Sequence, residues 1–221
     1  MKDTISKTKI DIENWKRKEH FDFFRSFEQP FWGITTEVDC TRSYQYCKEN
    51  KIPFSTFYLY KSLLVANQIP EFRQRIENGD VFEYGKISGS VTVLRENETF
   101  GFANFKFEKN FELFREALES QILTEKQNLG LKPDFSLNSL IHYSVIPLVR
   151  FSSFQHAQKT DTEHSVPKIV FGKYYKNENG MFLPISIHVH HALCDGVHVG
   201  KFVKAFEKEM QMESNNINSL P

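Results

Sequence analysis

The sequence predicts an α/β protein, a two-layer sandwich in which helices cover a mixed β-sheet. Three observations carry that expectation. Apolar residues recur at helical spacing in some segments and at strand spacing in others, and the two kinds follow one another irregularly. Turn signals such as Asn78-Gly79-Asp80 and Asn177-Glu178-Asn179-Gly180 join strands as hairpins do, whereas a doubly wound parallel sheet needs helical crossovers. No repeat or low-complexity linker divides the 221 residues, 40% of them hydrophobic. A single domain over 1–221, with an ordered core over about 10–210, is therefore expected.

Taken in order, residues 1–9 are polar and expected to be loosely held. Asp11 is the N-cap of an expected helix in which Ile12, Trp15, Phe23 and Phe27 recur between charged residues and which stops at Pro30. Residues 31–38, rich in threonine and aromatics, read as a strand. Helices follow over 41–50 and 55–67, the second placing Phe57, Tyr60, Leu63 and Leu64 at helical spacing. Strands are expected over 81–84, 90–95 and 99–107. A helix over 110–127 carries Phe111, Phe114, Leu118 and Leu123 on one side. Strands over 140–147 and 168–175 precede the turn at 177–180. The strand ending near His190 alternates Ile185, Ile187 and Val189 with Ser186, His188 and His190. Asp195-Gly196 then turns the chain into a helix over 197–206, and the polar segment 211–221 is expected to fray.

Composition excludes several classes of function. Lys plus Arg is 28 and Asp plus Glu is 28, so no basic excess favours nucleic acid. No apolar h-region opens the chain and no apolar run reaches about 18 residues, so a cytoplasmic protein with no membrane partner is expected. Cys40, Cys47 and Cys194 form no CxxC pair, which suits a reducing compartment. The 22 phenylalanines read as an aromatic core rather than a stacking surface.

The chemistry concentrates in His190-His191-Ala192-Leu193-Cys194-Asp195-Gly196, where a rigid strand gives way to a turn. His191 is the candidate base and Asp195, four residues on, can fold back to orient local groups. His190 is its rival, but neighbouring strand residues face opposite ways and the HxxxD spacing selects His191. Cys194 beside the base raises a catalytic thiol, and its place between Leu193 and Asp195 favours a small buried residue. His188, His190, His191 and His198 raise a metal site, yet no HxHxDH arrangement and no obvious Cys or Glu ligand completes one, so no metal is expected. The glycines form no phosphate-binding loop.

This HHxxxDG run resembles the signature shared by coenzyme A-dependent acyltransferases. Its context, HHALCDGVHVGKF, is similar to the type A chloramphenicol acetyltransferases, as is Asn14-Trp15-Lys16-Arg17-Lys18-Glu19-His20-Phe21-Asp22-Phe23. The resemblance runs from about Ile10 to Glu209. Dihydrolipoyl acyltransferases share the signature but normally carry a lipoyl domain and an Ala/Pro-rich linker, and peptide-synthetase condensation domains are about twice this size. The resemblance implies that family's fold, acetyl-CoA as co-substrate with no tightly bound cofactor, and a homotrimer with active sites between subunits.

For individual residues, the resemblance implies that His191 removes the acceptor hydroxyl's proton, a task suited to an imidazole of ordinary pKa about 6.5. Arg17 alone reads as a solvated arginine; the resemblance pairs it with Asp195, whose other reading is direct orientation of the imidazole. Ser144, matching the serine of an SxxPWxxF segment, would donate to the oxyanion. Phe23, Phe24, Phe100, Phe102, Phe154, His156, Lys168 and Val170 fall at acceptor-site positions, and Tyr174 and Leu148 at the CoA side. The acceptor positions depart from the family: Phe102 replaces a small residue, His156 and Lys168 replace apolar ones, Val170 replaces a threonine and Leu148 a tryptophan. Three functions follow: a chloramphenicol O-acetyltransferase, an acetyltransferase for another alcohol or amine with weak chloramphenicol activity, or a non-catalytic protein that kept the fold.

Overall fold

The computed structural model describes residues 5–131, 137–157 and 164–211. In chain order its elements begin with β1 (Lys7–Lys9), α1 (Lys18–Phe24), β2 (Phe31–Asp39), α2 (Thr41–Glu49), α3 (Phe54–Gln68) and α4 (Pro70–Arg73). Next come β3 (Gln74–Glu77), β4 (Asp80–Tyr84), β5 (Ser88–Leu94), β6 (Phe100–Phe105) and α5 (Phe111–Gln127). β7 (Leu140–Val145), β8 (Lys168–Phe171), β9 (Tyr175–Asn177), β10 (Gly180–His190) and α6 (Gly196–Gln211) complete the series.

The main sheet has the order β2-β10-β8-β7-β5-β6, with β9 also paired to β10. β7 runs parallel to both β5 and β8, and the other pairs are antiparallel, so the sheet is mixed as the sequence predicts. A smaller antiparallel sheet, β1-β4-β3, stands beside it. Among the described residues no helix is long and apolar enough to cross a membrane.

The helices cover one face. There Val91, Ile141, Tyr143, Ile169, Phe171, Ile185, Ile187 and Val189 of the sheet join Phe57, Leu63, Phe114, Phe202 and Phe206 of the helices in one core. The phenylalanine surplus is largely spent here, in contacts such as the Phe72–Phe202 stack at 4.8 Å. α3 is buried continuously from Thr56 to Ala66, because it packs against α2, α5 and α6 at once. Its polar groups are matched: Lys61 pairs with Glu209 at 2.8 Å, and the Tyr60 hydroxyl donates to the Lys109 carbonyl at 2.6 Å. The expected helix 110–127 begins one residue later, because Asn110 caps α5 by accepting from the Leu113 N–H at 3.1 Å.

The sheet's other face departs from the expected pattern. Alternation in β10 predicts a strand wet on one side, yet Ser186, His188 and His190 are as buried as Ile185 and Ile187. Phe154 and His156, from the chain after β7, pack over His188, and Phe31 lies against His190. Thr35 and Ser186 meet hydroxyl to hydroxyl at 2.9 Å. The sheet therefore separates an apolar core from a buried polar layer.

Several boundaries differ from those expected. Residues 7–9 are not loose: Lys7 and Lys9 pair with Glu77 and Asp80 as β1 extends the small sheet. The first helix starts at Lys18, not Asp11, because the Asp11 carboxylate accepts from the Glu13 N–H and the Asn14 amide and holds that stretch as turns. The turn at 78–80 has a strand on both sides, β3 as well as the expected β4; Asn78 and Gly79, at φ 52° and 80°, make the reversal that suits a tight hairpin. The expected strand 168–175 breaks in two after Phe171. The last helix runs on to Gln211, whose amide donates to the Asp39 carbonyl at 2.8 Å. The remainder of the expected fraying tail lies outside the described residues.

Arg75 ties the two sheets together. It is fully buried and donates to the carbonyls of Phe72, Gln74, Asn138 and Leu140. Burial lowers its pKa to about 9. Arg75→Leu leaves four buried carbonyls without that donor. Unfolding in urea should show a loss of about 2–5 kcal/mol; a loss under half a kcal/mol would remove Arg75 from this role.

Candidate active site

β10 ends at His190, and His191 stands on the first turn residue beyond it. The His191 N–H donates to the Pro30 carbonyl at 2.8 Å, which fixes its backbone to the start of β2. Its ring stacks on Phe24 with centroids 3.8 Å apart and planes 8° apart, and tilts against Trp32 at 5.3 Å. The ring is half-buried; its Nδ1 is enclosed with no hydrogen-bond partner. Nε2 is left as the nitrogen able to meet an acceptor.

The turn itself is clamped. Arg17, only 6% exposed, donates from Nη1 to Asp195 Oδ2 at 2.6 Å and from Nη2 to the His191 carbonyl at 3.4 Å. Asp195 also caps α6, its Oδ1 accepting from the Val197 N–H at 3.2 Å. Burial works to raise the Asp195 pKa, but the bond from Arg17 and the neighbouring His198 outweigh it and hold the carboxyl below its usual range. Of the two roles read for Asp195, the geometry is that of the salt bridge, since its partners are Arg17, His198 and the helix end.

His198 and Glu71 extend this chain. His198 Nδ1 accepts from the Asp195 N–H at 3.1 Å, and its Nε2 lies 3.3 Å from Glu71. Burial lowers the His198 pKa against the pull of Glu71 and Asp195. Trp32 completes the support by donating from Nε1 to the Cys194 carbonyl at 2.9 Å. Sequence reasoning leaves Trp32, Glu71 and His198 unassigned. Only His198, three residues from Asp195 at a helix start, had a local signal.

The rivals are placed elsewhere. His190 is 1% exposed, and its Nδ1 accepts from the Ala192 N–H at 3.3 Å. The alternation argument does not separate it from His191, because the strand has already ended. Cys194 is buried, and burial pushes its thiol well up, away from a reactive thiolate. Cys40 and Cys47 are buried free thiols, each pushed up to about 12 by burial. Among the described residues no three His, Cys, Asp or Glu side chains are placed to hold a metal.

The remaining site residues expected from the sequence fall in three places. On α1, Phe24 stacks on His191, and the exposed Phe23 meets Phe24 edge-on at 4.9 Å. Ser144, Val170, Lys168 and Phe102 lie on the polar sheet face: Ser144 pairs with Val170, Val170 with Ser186, and Phe102 with Thr92. Val170 itself is fully buried. Phe100 meets Phe102 edge-on at 5.6 Å, and Phe154 and His156 lie over His188. Leu148 and Tyr174 sit on adjoining loops, joined by the Lys173 N–H to Val149 carbonyl bond at 2.9 Å. Leu148 is 85% exposed, and Tyr174 packs on Tyr44 and Phe54.

Within one chain His191 and Ser144 do not meet. Ser144 is two strands from β10 at the level of Ser186, while His191 lies five residues farther along. Strand spacing and rise put them on the order of 15–20 Å apart.

A family model described as chloramphenicol acetyltransferase matches residues 5–207. The chain belongs to the chloramphenicol acetyltransferase family. A chloramphenicol acetyltransferase of Escherichia coli is 29% identical over 202 residues, 91% of this chain and 92% of the relative. One of Campylobacter coli is 32% identical over 200 residues, 89% and 94% of the two chains. A solved chloramphenicol acetyltransferase structure superposes with a TM-score of 0.83 at 32% identity, covering 93% of this chain and all of that one. The dihydrolipoamide acetyltransferase of Azotobacter vinelandii shares the fold, with a TM-score of 0.61 at 14% identity over 82% of this chain and 81% of that one. The family and fold are those of acetyl-CoA-dependent O-acetyltransferases.

The Arg17–Asp195 clamp makes two measurable claims. Arg17→Val and Asp195→Asn should each lower turnover, and a double-mutant cycle should show coupling of about 1–3 kcal/mol; strict additivity would mean that the two do not touch. Because the Asp195 carboxyl is depressed in the folded state, its contribution is present above the unfolded pKa of about 3.9 and is lost as pH falls through the lower folded value. The stability gap between the native protein and Asp195→Asn should therefore narrow in acid, and a gap that widens below pH 4 would contradict the assignment.

Proposed function

We propose that the protein moves an acetyl group from acetyl-CoA to a hydroxyl of a small-molecule acceptor, with His191 as general base. The observation that carries this reading is His191 itself: an imidazole stacked on Phe24 and fixed through its backbone, at a turn held by a buried arginine clamp. His191 Nε2 takes the hydroxyl proton as the oxygen attacks the thioester carbonyl. The Ser144 hydroxyl donates to the resulting oxyanion. Collapse breaks the C–S bond, and the CoA thiolate recovers the proton from His191. No acyl-enzyme forms, consistent with the buried, high-pKa Cys194.

The separation of Ser144 from His191 supports a shared site in which one copy supplies the base and a neighbour supplies Ser144 and the acceptor face. We read this as the homotrimer of the family. Acetyl-CoA would reach it past Leu148 and Tyr174; a cavity of about 440 Å³ lined by Thr35, Thr36, Glu37, Arg150, Phe151 and Ser152 opens beside that loop. The whole chain acts as one acetyltransferase domain, and the three buried free thiols favour the cytoplasm.

Chloramphenicol is the acceptor of the relatives by name, and a place for it here must be measured. Thiol release from acetyl-CoA, with chloramphenicol and other alcohols as acceptors, is the direct assay. His191→Ala should cut turnover by about 10²–10⁴-fold and Ser144→Ala by up to about 10²–10³-fold. Mixing the two inactive variants by co-refolding should restore part of the activity, because a mixed assembly contains sites with both residues. If the mixture stays inactive while both variants assemble, the shared-site reading fails.

A further inference from the structure

The buried polar layer holds a concentration of basic groups that acetyl transfer does not require. Ser90 of β5, His142 of β7, Lys168 of β8, His188 of β10 and Gly33 of β2 lie opposite one another in a single row across the sheet. Their side chains share the face turned away from the helices. Gly33 lets the His188 ring lie flat on β2, since a Cβ there would stand 2.5 Å from the ring. His156 meets His188 edge-on at 4.9 Å, and His164 stacks near His142 at 6.1 Å. Four imidazoles and an ammonium thus converge between the aromatic walls of Phe31 and Phe154.

No carboxylate of the described residues pairs with Lys168, His142, His156 or His188. Lys168 is 8% exposed, and its ammonium is met only by the ring of Phe31, 4.9 Å away. His156 Nε2 and His188 Nδ1 are enclosed with no hydrogen-bond partner. Burial lowers His142 to about 4 and His156 to about 3, with the neighbouring basic groups adding to the effect. Burial also lowers Lys168. A buried ammonium without a carboxylate is costly, and a bound oxyanion relieves that cost while favouring protonation of the imidazoles around it. Convergence on a metal is excluded among these residues by their placement.

We propose that the acceptor carries an oxyanionic group, a carboxylate or a phosphate monoester, that is bound by Lys168 with His142, His156 and His188. Ser144 is two residues from His142 on the same strand face, about 7 Å away. The anion is therefore held about that far from the carbon chemistry at Ser144, which selects a small hydroxylated acid whose reacting hydroxyl lies several bonds from its charge. This assignment rests on the acetyl-transfer reading for the identity of the ligand, but the anion site can be measured without it.

Thiol release is compared for a set of matched acceptors: 3-(hydroxymethyl)benzoate, its methyl ester, and the corresponding phosphate monoester. The carboxylate or the phosphate should exceed the ester in kcat/KM by about 10- to 100-fold, the loss expected for one charge-assisted hydrogen bond, and the better of the two names the anion. Lys168→Met should reduce that ratio by at least 10-fold, as should His156→Phe, while Lys176→Met on exposed β9 should leave it unchanged. Calorimetry of benzoate and of inorganic phosphate with the native protein, without acetyl-CoA, gives an independent readout that Lys168→Met should abolish. Anion binding without turnover on any acceptor would keep the site and remove the acetyl-transfer reading. Turnover on neutral alcohols with no anion preference and no anion binding would overturn this inference alone.

Discussion

The structure depends on the nine-residue antiparallel ladder between β10 and β2. It runs from Phe182 opposite Asp39 to His190 opposite Phe31. One end of it sets the catalytic turn: Val189 opposite Trp32 brings the indole under the turn, where it donates to the Cys194 carbonyl, and the Pro30 carbonyl receives the His191 N–H. The ladder's side chains then divide by parity. Odd positions Ile185, Ile187 and Val189 enter the helix-covered core, and even positions Ser186, His188 and His190 form the polar layer. A slip of one residue would exchange the two sets, so register is strongly specified.

That ladder fixes the height of the turn, and charge fixes its shape. Asp195 faces three demands: it caps α6, neutralises Arg17 and receives His198 close by. A buried ion pair is a weak source of net stability, because desolvation opposes attraction. Its value here is geometric. Arg17 reaches both the Asp195 carboxylate and the His191 carbonyl, so a single guanidinium spans the first and last residues of the turn. Phe24, about two helical turns beyond Arg17, supplies the flat surface for the imidazole. The position of the His191 ring is thus set by packing and by backbone bonds rather than by a hydrogen bond to the ring.

How much of this was legible in the sequence follows from range. Strand parity in β10 and the Asn78-Gly79 reversal are local, and each was readable from a few neighbouring residues. The mixed sheet was readable as a class, though not as an order, since β7 pairs with β5 and β8 through contacts between residues about 50 apart or less. The N-terminal helix was overextended because Asp11 fits two local roles, helix cap and turn former, and only the neighbouring amides decide between them. Candidate site residues were found through resemblance, but their division into two separated groups was not, because it depends on strand order. The burial of the polar face was also hidden: alternation with Ser, His and Thr reads as a solvated face unless another segment is known to cover it.

The placement of enclosed, unpartnered polar atoms ties these points together. Proteins satisfy nearly all buried polar groups, and exceptions mark places completed by something else. Arg17 Nε and His191 Nδ1 lie at the turn after β10, His156 Nε2 and His188 Nδ1 lie in the polar layer, and Arg73 Nε and Gln74 Oε1 lie where α4 meets β3. The core, by contrast, matches its polar side chains internally, as Lys61 does with Glu209 and Ser62 with Tyr143. The hydrophobic half of the sandwich is complete within one chain. The polar half keeps enclosed atoms of His156 and His188 that no described residue meets, and in this the two faces of the sheet differ.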